Sequence, residues 1–178
     1  MLKVVCQLLL VILLPVQVGA YVFPDKYDSK IKESWVLYHP GNDWLWWKAQ
    51  LWQESRLNPD AVSPAGAEGI AQFMKGTAIQ YGITDRRIAE VSILAGARLM
   101  RYNRRFWKAN RTEESRRRLS QAGYNCGNGN LMKAQRLCNG ANEYEGIVLC
   151  LPQVTKHFAA ETLGYAPSIE KWYHRMLP

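Results

Sequence analysis

The sequence predicts a mainly α-helical domain, and three observations support this class. Apolar residues recur at helical spacing in two long segments, and Pro and Gly residues divide the chain into helix-sized lengths. Residues 59–69, rich in Pro, Gly and small residues, instead predict an ordered loop or a small strand pair. With 178 residues, 48% of them hydrophobic, the chain is long enough for one domain with a real core.

The N-terminus has the layout of a secretory signal peptide, predicted to span residues 1–20. Lys3 precedes the apolar run 8–14, and small residues precede a cleavage point after Ala20. An uncleaved membrane anchor is the alternative, although an apolar segment of this length is marginal for spanning a bilayer. Either way, residues 21–178 are predicted to work in the periplasm, in the cell envelope or outside the cell.

The chain is basic, with 23 Lys and Arg against 15 Asp and Glu and a formal charge of +8. This balance favours anionic surfaces such as cell walls, membranes or nucleic acid. Because no nucleic-acid-binding motif accompanies the arginines, we predict a charged, solvated face and no nucleic-acid partner. Electrostatic association of a monomer with an anionic envelope is the expectation.

The cysteines fit an oxidising compartment but leave one thiol unpaired. Cys6 is lost with the signal peptide, and Cys138 with Cys150 is the preferred disulfide because it closes a short loop and leaves Cys126 free. An uncleaved anchor would make Cys6 available to pair. A zinc site built from the three remaining cysteines and His157 is a further alternative, although their spacings match no common zinc motif.

Four helices are predicted from apolar spacing and from their Pro and Gly boundaries. They cover residues 44–55, 85–108, 114–122 and 153–163. The first ends at the pair Asn58 and Pro59, and the last begins after Pro152 and ends at Gly164. Segment 123–130, rich in Gly and Asn, predicts a turn.

The long helix carries apolar residues that step by three or four and predict its buried face. They are Ile88, Val91, Ala95, Leu99, Tyr102 and Phe106. The neighbouring basic residues are expected to face solvent. They are Arg98, Arg101, Arg105 and Lys108.

Glu54 is the most informative residue of the first helix. At about 100° per residue, Trp44, Trp47, Leu51 and Glu54 fall within one quadrant. Burying an isolated carboxylate costs on the order of several kcal/mol. A glutamate on this apolar face must therefore be paired, protonated or functional. It either forms a salt bridge, for example with Arg56, or lies exposed at the helix end, or is an acid whose pKa is raised by an apolar wall. In lysozyme, a tryptophan pocket plays this part for the catalytic acid.

Three sequence blocks resemble those of lytic transglycosylases of the soluble type, relatives of goose-type lysozyme. They are QESRLNPDAVSPAGA at 53–67, GIAQFMKGTA at 69–78 and GYNCGNG at 123–129. A weaker match is ETLGY at 161–165. The blocks appear in family order and cover most of residues 40–170, which makes the resemblance specific.

The resemblance implies a lysozyme-like fold, helical with at most a small β element, and a groove for the glycan strands of peptidoglycan. Glu54 matches the catalytic acid that protonates the oxygen between N-acetylmuramic acid and N-acetylglucosamine. The same residue then acts as base on the muramoyl 6-hydroxyl, which closes into a 1,6-anhydro end without metal or cofactor. A hydrolytic muramidase of the same fold and a non-catalytic peptidoglycan-binding module remain the alternatives.

Six further residues match positions that contact the sugars in the family. They are Ser55, Gln72, Met74, Tyr124, Asn125 and Tyr165. The resemblance implies that Gln72 contacts acetamido groups, that Met74 packs on a pyranose face and that Tyr124 lies beside the acid. Ser55 is expected to bond either the substrate or the helix end, and Asn125 and Tyr165 either line the groove or hold the turn.

A second carboxylate is absent from the matched positions. A usual glycosidase needs two, and the nearest candidates here, Asp60 and Glu68, match no required family position. A nucleophile carried by the substrate itself would remove much of this need, because it arrives already oriented.

Overall fold

The computed structural model describes residues 22–178 and confirms a mainly helical protein. The predicted signal peptide lies outside these residues. Nine α-helices are present in the described chain: α1 (Asp28–Tyr38), α2 (Leu45–Ser55), α3 (Lys75–Gln80), α4 (Ala89–Phe106), α5 (Glu113–Cys126), α6 (Asn128–Leu137), α7 (Tyr144–Val148), α8 (Leu151–Thr155) and α9 (Ala159–Met176). A single 3-10 turn, Lys156–Phe158, joins the last two helices.

The small β element lies in the loop that follows α2. Antiparallel bridges join Val62 to Glu68 and Glu68 to Phe73. Arg86 holds this loop in place, since its guanidinium contacts a Glu68 carboxylate oxygen at 2.9 Å and donates to the backbone oxygen of Phe73 at 3.0 Å. The loop is therefore an ordered wall beside the end of α2.

Two groups of buried side chains form the core. The first is built around α2 and α4 and includes Trp47, Leu51, Ile70, Ile93 and Ile169. The second fills the space between α5, α6, α7 and α8, and its fully buried members include Leu119, Leu131, Ile147 and Leu151. Helices α5 and α9 contribute to both groups and join them.

A disulfide joins Cys138 at the end of α6 to Cys150 just before α8, with the two Cα atoms 5.8 Å apart. This is the pair preferred from the sequence. Cys126 is a free cysteine and is partly buried. Because two of the three thiols are used in the disulfide, the alternative zinc site with His157 is wrong.

The predicted C-terminal helix was placed wrongly. Pro152 does begin a helix, but α8 ends at Thr155, and α9 then runs through Gly164 and Pro167 to Met176. The buried side chains of α9 pack along α2, and this contact maintains the helix across two residues that usually end one. Likewise, the predicted turn at 123–130 is mostly helical, with a break only at Gly127, which has φ +81°.

Only part of the predicted buried face of the long helix is confirmed: Ala95 is buried, and Leu99 and Phe106 are partly buried against the core. Ile88 is 45% exposed, Val91 is 41% exposed and Tyr102 is 55% exposed. Instead, α4 buries a set of smaller residues together with Ile93 and Met100, because α1 and α5 pack against it from two sides. Of the flanking basic residues, Arg98, Arg105 and Lys108 are exposed and Arg101 is half-buried, close to the predicted solvated face.

No helix among residues 22–178 combines the length and apolar character needed to cross a membrane.

Candidate active site

Glu54 lies in the last turn of α2, one turn after the fully buried Leu51. The helix ends abruptly because Arg56 and Leu57 both have left-handed backbones, with φ of 58° and 62°. A left-handed backbone conformation costs a non-glycine residue about 1–2 kcal/mol. The packing around Arg56 and Leu57 must therefore hold both residues in this conformation. The sharp end turns the chain out of α2 and into the following loop.

Glu54 lies at a cleft of about 640 Å³. Several other parts of the chain line it, and three of them contribute the residues discussed below. The loop after α2 contributes Gln72, Phe73 and Met74; α5 contributes Tyr124 and Asn125; α9 contributes Glu161 and Tyr165. Five of the six residues matched to sugar-contacting positions therefore line one cleft together with Glu54.

The pKa of Glu54 is raised from 4.5 to about 8, chiefly by burial and also by the nearby charge of Glu161, against a lowering effect from the Tyr165 hydroxyl. Protein atoms surround the carboxyl group densely, although part of its side chain stays open to the cleft. Glu54 thus keeps its proton at neutral pH. The alternative of a salt bridge to Arg56 is wrong: that guanidinium instead donates to the Trp52 backbone oxygen at 2.9 Å and lies over the Trp172 ring.

Two tyrosines form the wall beside the acid. The Tyr165 hydroxyl donates a hydrogen bond to Oε1 of Glu54. The Tyr124 hydroxyl donates to the backbone oxygen of Ala71 at 2.7 Å, and burial together with the Glu54 charge raises the pKa of Tyr124 well above its usual value. Trp47 packs against Tyr124, with ring centroids 6.2 Å apart. Tyrosines thus line the cleft next to Glu54, and Trp47 packs against one of them, Tyr124.

Gln72 and Met74 hold the opposite wall. The Gln72 amide donates to the backbone oxygens of Ala61 at 3.1 Å and Gly69 at 2.9 Å, and Gln72 has a left-handed φ of 48°. These bonds fix the amide within the loop at the cleft edge. Met74 is 47% exposed, so its thioether offers an apolar contact surface to a ligand.

Ser55 differs from the other matched residues. It is not among the residues that line the cleft, and its hydroxyl donates to the backbone oxygen of Ile70 at 2.8 Å. This bond ties the end of α2 to the loop that follows. Of the two expectations for Ser55, the geometry favours the one in which it holds the helix end.

Neither carboxylate considered from the sequence lines the cleft. Glu68 is paired with Arg86, and Asp60 is exposed in the loop. The second carboxylate at the cleft is Glu161, which accepts a hydrogen bond from the Asn125 amide at 2.8 Å. The Asn125 oxygen in turn accepts from the Thr162 hydroxyl at 2.6 Å. The match at 161–165 was the available signal for Glu161, but its carboxylate was not assigned a role.

Within residues 22–178, no three His, Cys, Asp or Glu side chains converge where a metal ion would bind. The chemistry available in the cleft is that of a neutral carboxylic acid, two buried phenols and a second carboxylate.

The chain is similar to proteins of one known family. The family described as "Transglycosylase SLT domain" matches residues 39–146. Among its relatives are the membrane-bound lytic murein transglycosylases F of Alcanivorax borkumensis, 34% identical over 70% of this chain, and of Desulfosudis oleivorans, 34% identical over 82% of it. The chain spans only 28% and 36% of the length of these two relatives.

Solved structures share the fold. The 70 kDa soluble lytic transglycosylase of Escherichia coli superposes with a TM-score of 0.64 at 25% identity, covering 86% of this chain and 24% of that one. An inactive mutant of the lytic transglycosylase Slt from Pseudomonas aeruginosa gives a TM-score of 0.63 at 22% identity, covering 85% and 24%. By the match over more than half of its length, the chain belongs to the transglycosylase SLT domain family.

Proposed function

We propose that this chain is a peptidoglycan lytic transglycosylase that cleaves the β-1,4 bond between N-acetylmuramic acid and N-acetylglucosamine. The observation that carries the proposal is a single carboxylic acid, Glu54, that is protonated at neutral pH and faces an open cleft. Its relatives named as lytic murein transglycosylases and its family membership support the same activity.

In the first step, Glu54 gives its proton to the glycosidic oxygen while the bond from that oxygen to the anomeric carbon breaks. The Tyr165 hydroxyl already occupies Oε1, so Oε2 is the oxygen that carries the proton. A pKa of about 8 keeps most of this acid protonated near pH 7, and such positioned acids contribute about 10²–10⁴-fold to a rate.

In the second step, the Glu54 carboxylate takes the proton of the muramoyl 6-hydroxyl, and that oxygen bonds to the anomeric carbon. The acid is restored and no water is consumed. Because the nucleophile belongs to the same sugar, it is already near the reacting carbon, and the protein does not need to position a water molecule. Gln72 and Met74, on the wall opposite the tyrosines, are proposed to hold the acetamido groups and a sugar face.

Hydrolysis by the same fold is the second candidate, and Glu161 is the observation that favours it. A hydrolase that inverts or retains configuration uses a second carboxylate, and Glu161 lies at the cleft. Its bond to the Asn125 amide and its exposed position are equally consistent with a role in binding the glycan.

Mass spectrometry of glycan strands digested by the purified protein distinguishes these activities. Anhydro products are about 18 Da lighter than the corresponding hydrolysis products, since no water is added. Lighter fragments support the lyase, fragments of hydrolytic mass support the muramidase, and an unchanged polymer would mean that the protein only binds peptidoglycan.

The Glu54→Gln variant tests the acid directly. We expect it to fold and to lose turnover by at least about 10²-fold, because an amide has no acidic proton to donate. Release of soluble fragments from purified peptidoglycan is the measurement. Asp60→Asn is the matched control, since it removes an exposed carboxylate that lies in the loop after α2 and does not line the cleft, and it should keep full activity. Turnover by Glu54→Gln close to that of the wild type would contradict the proposal.

We also propose that the chain is exported and acts as a monomer in the periplasm, cell envelope or extracellular space. The predicted signal peptide and the names of its membrane-bound relatives support this location. The basic residues along the exposed side of α4 are proposed to favour an anionic envelope.

A further inference from the structure

Gln53 is a partly buried glutamine that lines the same cleft as Glu54. The sequence block at 53–67 begins with it, but the resemblance assigns it no role. Because the two residues are consecutive on α2, their side chains leave the helix about 100° apart. Glu54 contacts Tyr165, whereas Gln53 contacts Trp172, about two turns further along α9. The cleft therefore includes a second polar side chain beyond the acid.

The contact with Trp172 fixes the orientation of the Gln53 amide. Nε1 of Trp172 donates a hydrogen bond to Oε1 of Gln53 at 2.8 Å. An indole N–H group can only donate, so the amide group that faces it must be the carbonyl oxygen. The amide nitrogen of Gln53 is consequently directed away from Trp172.

Trp172 is a firmly held anchor for this amide. Its side chain is buried, the Trp52 ring packs against it with centroids 6.3 Å apart, and the Arg56 guanidinium lies 4.7 Å from its centroid. A donor fixed in this way limits the rotation of the Gln53 side chain. Little further ordering of Gln53 is then needed when a ligand binds.

The amide nitrogen of Gln53 is open to the cleft. It donates no hydrogen bond to any residue in the range 22–178. It is also not one of the fully buried polar atoms that lack a partner, so solvent reaches it. Because Gln53 lines the cleft and its oxygen is bonded to Trp172, its NH₂ group is the part available to a ligand.

Ser168 adds a second polar group to this end of the cleft. It lies on α9 one turn before Trp172 and lines the cleft, and its hydroxyl has no hydrogen-bond partner within the described part of the chain. Glu161 lies about 10 Å away from it along the axis of α9, with Tyr165 between them. A strand that crosses Glu54 can therefore meet polar groups on both sides of the acid.

We propose that Gln53 is a substrate-binding residue whose amide nitrogen donates a hydrogen bond to a carbonyl oxygen of the peptidoglycan strand. This inference rests on the proposed function, because it specifies what that cleft recognises. An NH₂ group only donates and a carbonyl oxygen only accepts, so the two groups match in one way. Peptidoglycan carries such oxygens in two places, on the acetamido groups of its sugars and on the amide that joins the stem peptide.

Binding of soluble glycan chains to the Glu54→Gln protein tests the proposal without turnover. Gln53→Glu, added to this background, keeps an oxygen for Trp172 to bond and replaces the NH₂ donor with a second oxygen. We expect Kd to rise about three- to tenfold or more, because one hydrogen bond is lost and a carboxylate oxygen repels a carbonyl oxygen. Gln53→Met, which lacks both groups, should also raise Kd about three- to tenfold.

Gln153→Glu in the same background is the matched control. Gln153 is exposed on α8 and does not line the cleft, so this variant makes the same change in charge and should leave Kd unchanged. An unchanged Kd in both Gln53 variants would overturn the proposal. A Kd raised by Gln53→Met but not by Gln53→Glu would also overturn it, since Gln53 would then act only through its bond to Trp172.

Glycan chains with and without stem peptides distinguish the two sources of the carbonyl group. If Gln53→Glu weakens binding of both kinds of chain, the bound group is an acetamido carbonyl. If it weakens binding only of chains that carry peptides, the bound group is the amide of the stem peptide. Either result supports a carbonyl contact, and equal Kd values for the variant and its background on both kinds of chain contradict it.

The outcomes separate this inference from the proposed function. If the wild type releases anhydro fragments and Gln53→Glu binds as tightly as its background, the Gln53 inference fails and the transglycosylase proposal stands. If the wild type releases no fragments and the Glu54→Gln protein binds no glycan, the proposed function fails, and the Gln53 inference fails with it.

Discussion

The chemistry of the site depends on one carboxyl group that remains neutral because of its surroundings. Burial is the main cause of the raised pKa of Glu54, and the hydrogen bond from Tyr165 acts in the opposite direction. Both effects serve the proposed reaction, because the first keeps the proton on the acid and the second would support the carboxylate formed after proton transfer. The same burial makes the folded protein less stable at pH values where Glu54 would otherwise be charged.

The raised pKa of Glu54 predicts how the free energy of unfolding depends on pH. Below about pH 4.5, Glu54 is protonated in both the folded and unfolded states, so it has no effect. Between about pH 4.5 and 8 the unfolded chain loses this proton while the folded protein keeps it, and stability falls as pH rises through this window. Above pH 8 the loss is complete, at about 2–5 kcal/mol after allowance for the open side of the carboxyl group.

The Glu54→Gln variant lacks this titration and isolates its effect. Relative to the wild type, we expect the variant to gain stability steadily from pH 4.5 to pH 8 and to hold a constant advantage above that. Urea unfolding of both proteins at about pH 4, 6 and 9 is the measurement. A stability difference that does not change with pH would show that burial does not raise the pKa of Glu54.

At the level of the helices, the Trp47 ring of α2 fills the space between α2 and α4. Gly96 on α4 lies against the buried Trp47 ring, and a Cβ atom there would come within 2.5 Å of that ring. The absence of a side chain lets the indole fill the space between the helices. Because Trp47 also packs against Tyr124, this contact supports one wall of the cleft.

Gly96→Ala should therefore destabilise the protein although alanine favours helices. We expect a loss of about 1–3 kcal/mol, since the buried Trp47 ring has little room to move, together with reduced turnover. Gly129→Ala on α6 is the matched control, because a Cβ there meets no atom within 4 Å; it should be neutral or stabilise by up to about 1 kcal/mol. Equal stability of the two variants in urea unfolding would show that the α2–α4 contact is not tight.

For the whole molecule, the two core groups stabilise different parts of the protein. The first surrounds α2 and supports Glu54, whereas the second is closed by the disulfide between α6 and α8. The bond joins residues separated by 12 positions and encloses α7. It therefore stabilises the part of the protein that does not contain Glu54.

Replacing both Cys138 and Cys150 with Ser should lower the free energy of unfolding by about 3 kcal/mol, the value for a loop of this length. Activity per folded molecule should remain close to that of the wild type, because neither residue lines the cleft. Unfolding with and without a reducing agent provides the control, since reduction should destabilise the wild type and leave the double variant unchanged. A large loss of activity in the folded variant would show that the two parts are coupled.

Short-range patterns were sufficient to predict several features of this protein. Helix α2, its end after Ser55 and the small β element follow from local spacing and from Pro and Gly boundaries, which act over a few residues. The family and its lysozyme-like helical fold follow from blocks of contiguous sequence. Glu54 was recognised because its polarity conflicts with its place on an apolar helix face.

Other features depend on contacts between distant segments. Tyr165 meets Glu54 across 111 positions, and Glu161 joins Asn125 across 36, so local periodicity gave no indication of either contact. The buried face of α4 and the length of α9 also differ from the pattern-based predictions, because packing of neighbouring helices outweighs local helix preference. The raised pKa of Glu54 belongs to this group, since burial is a property of the folded chain and not of any one segment.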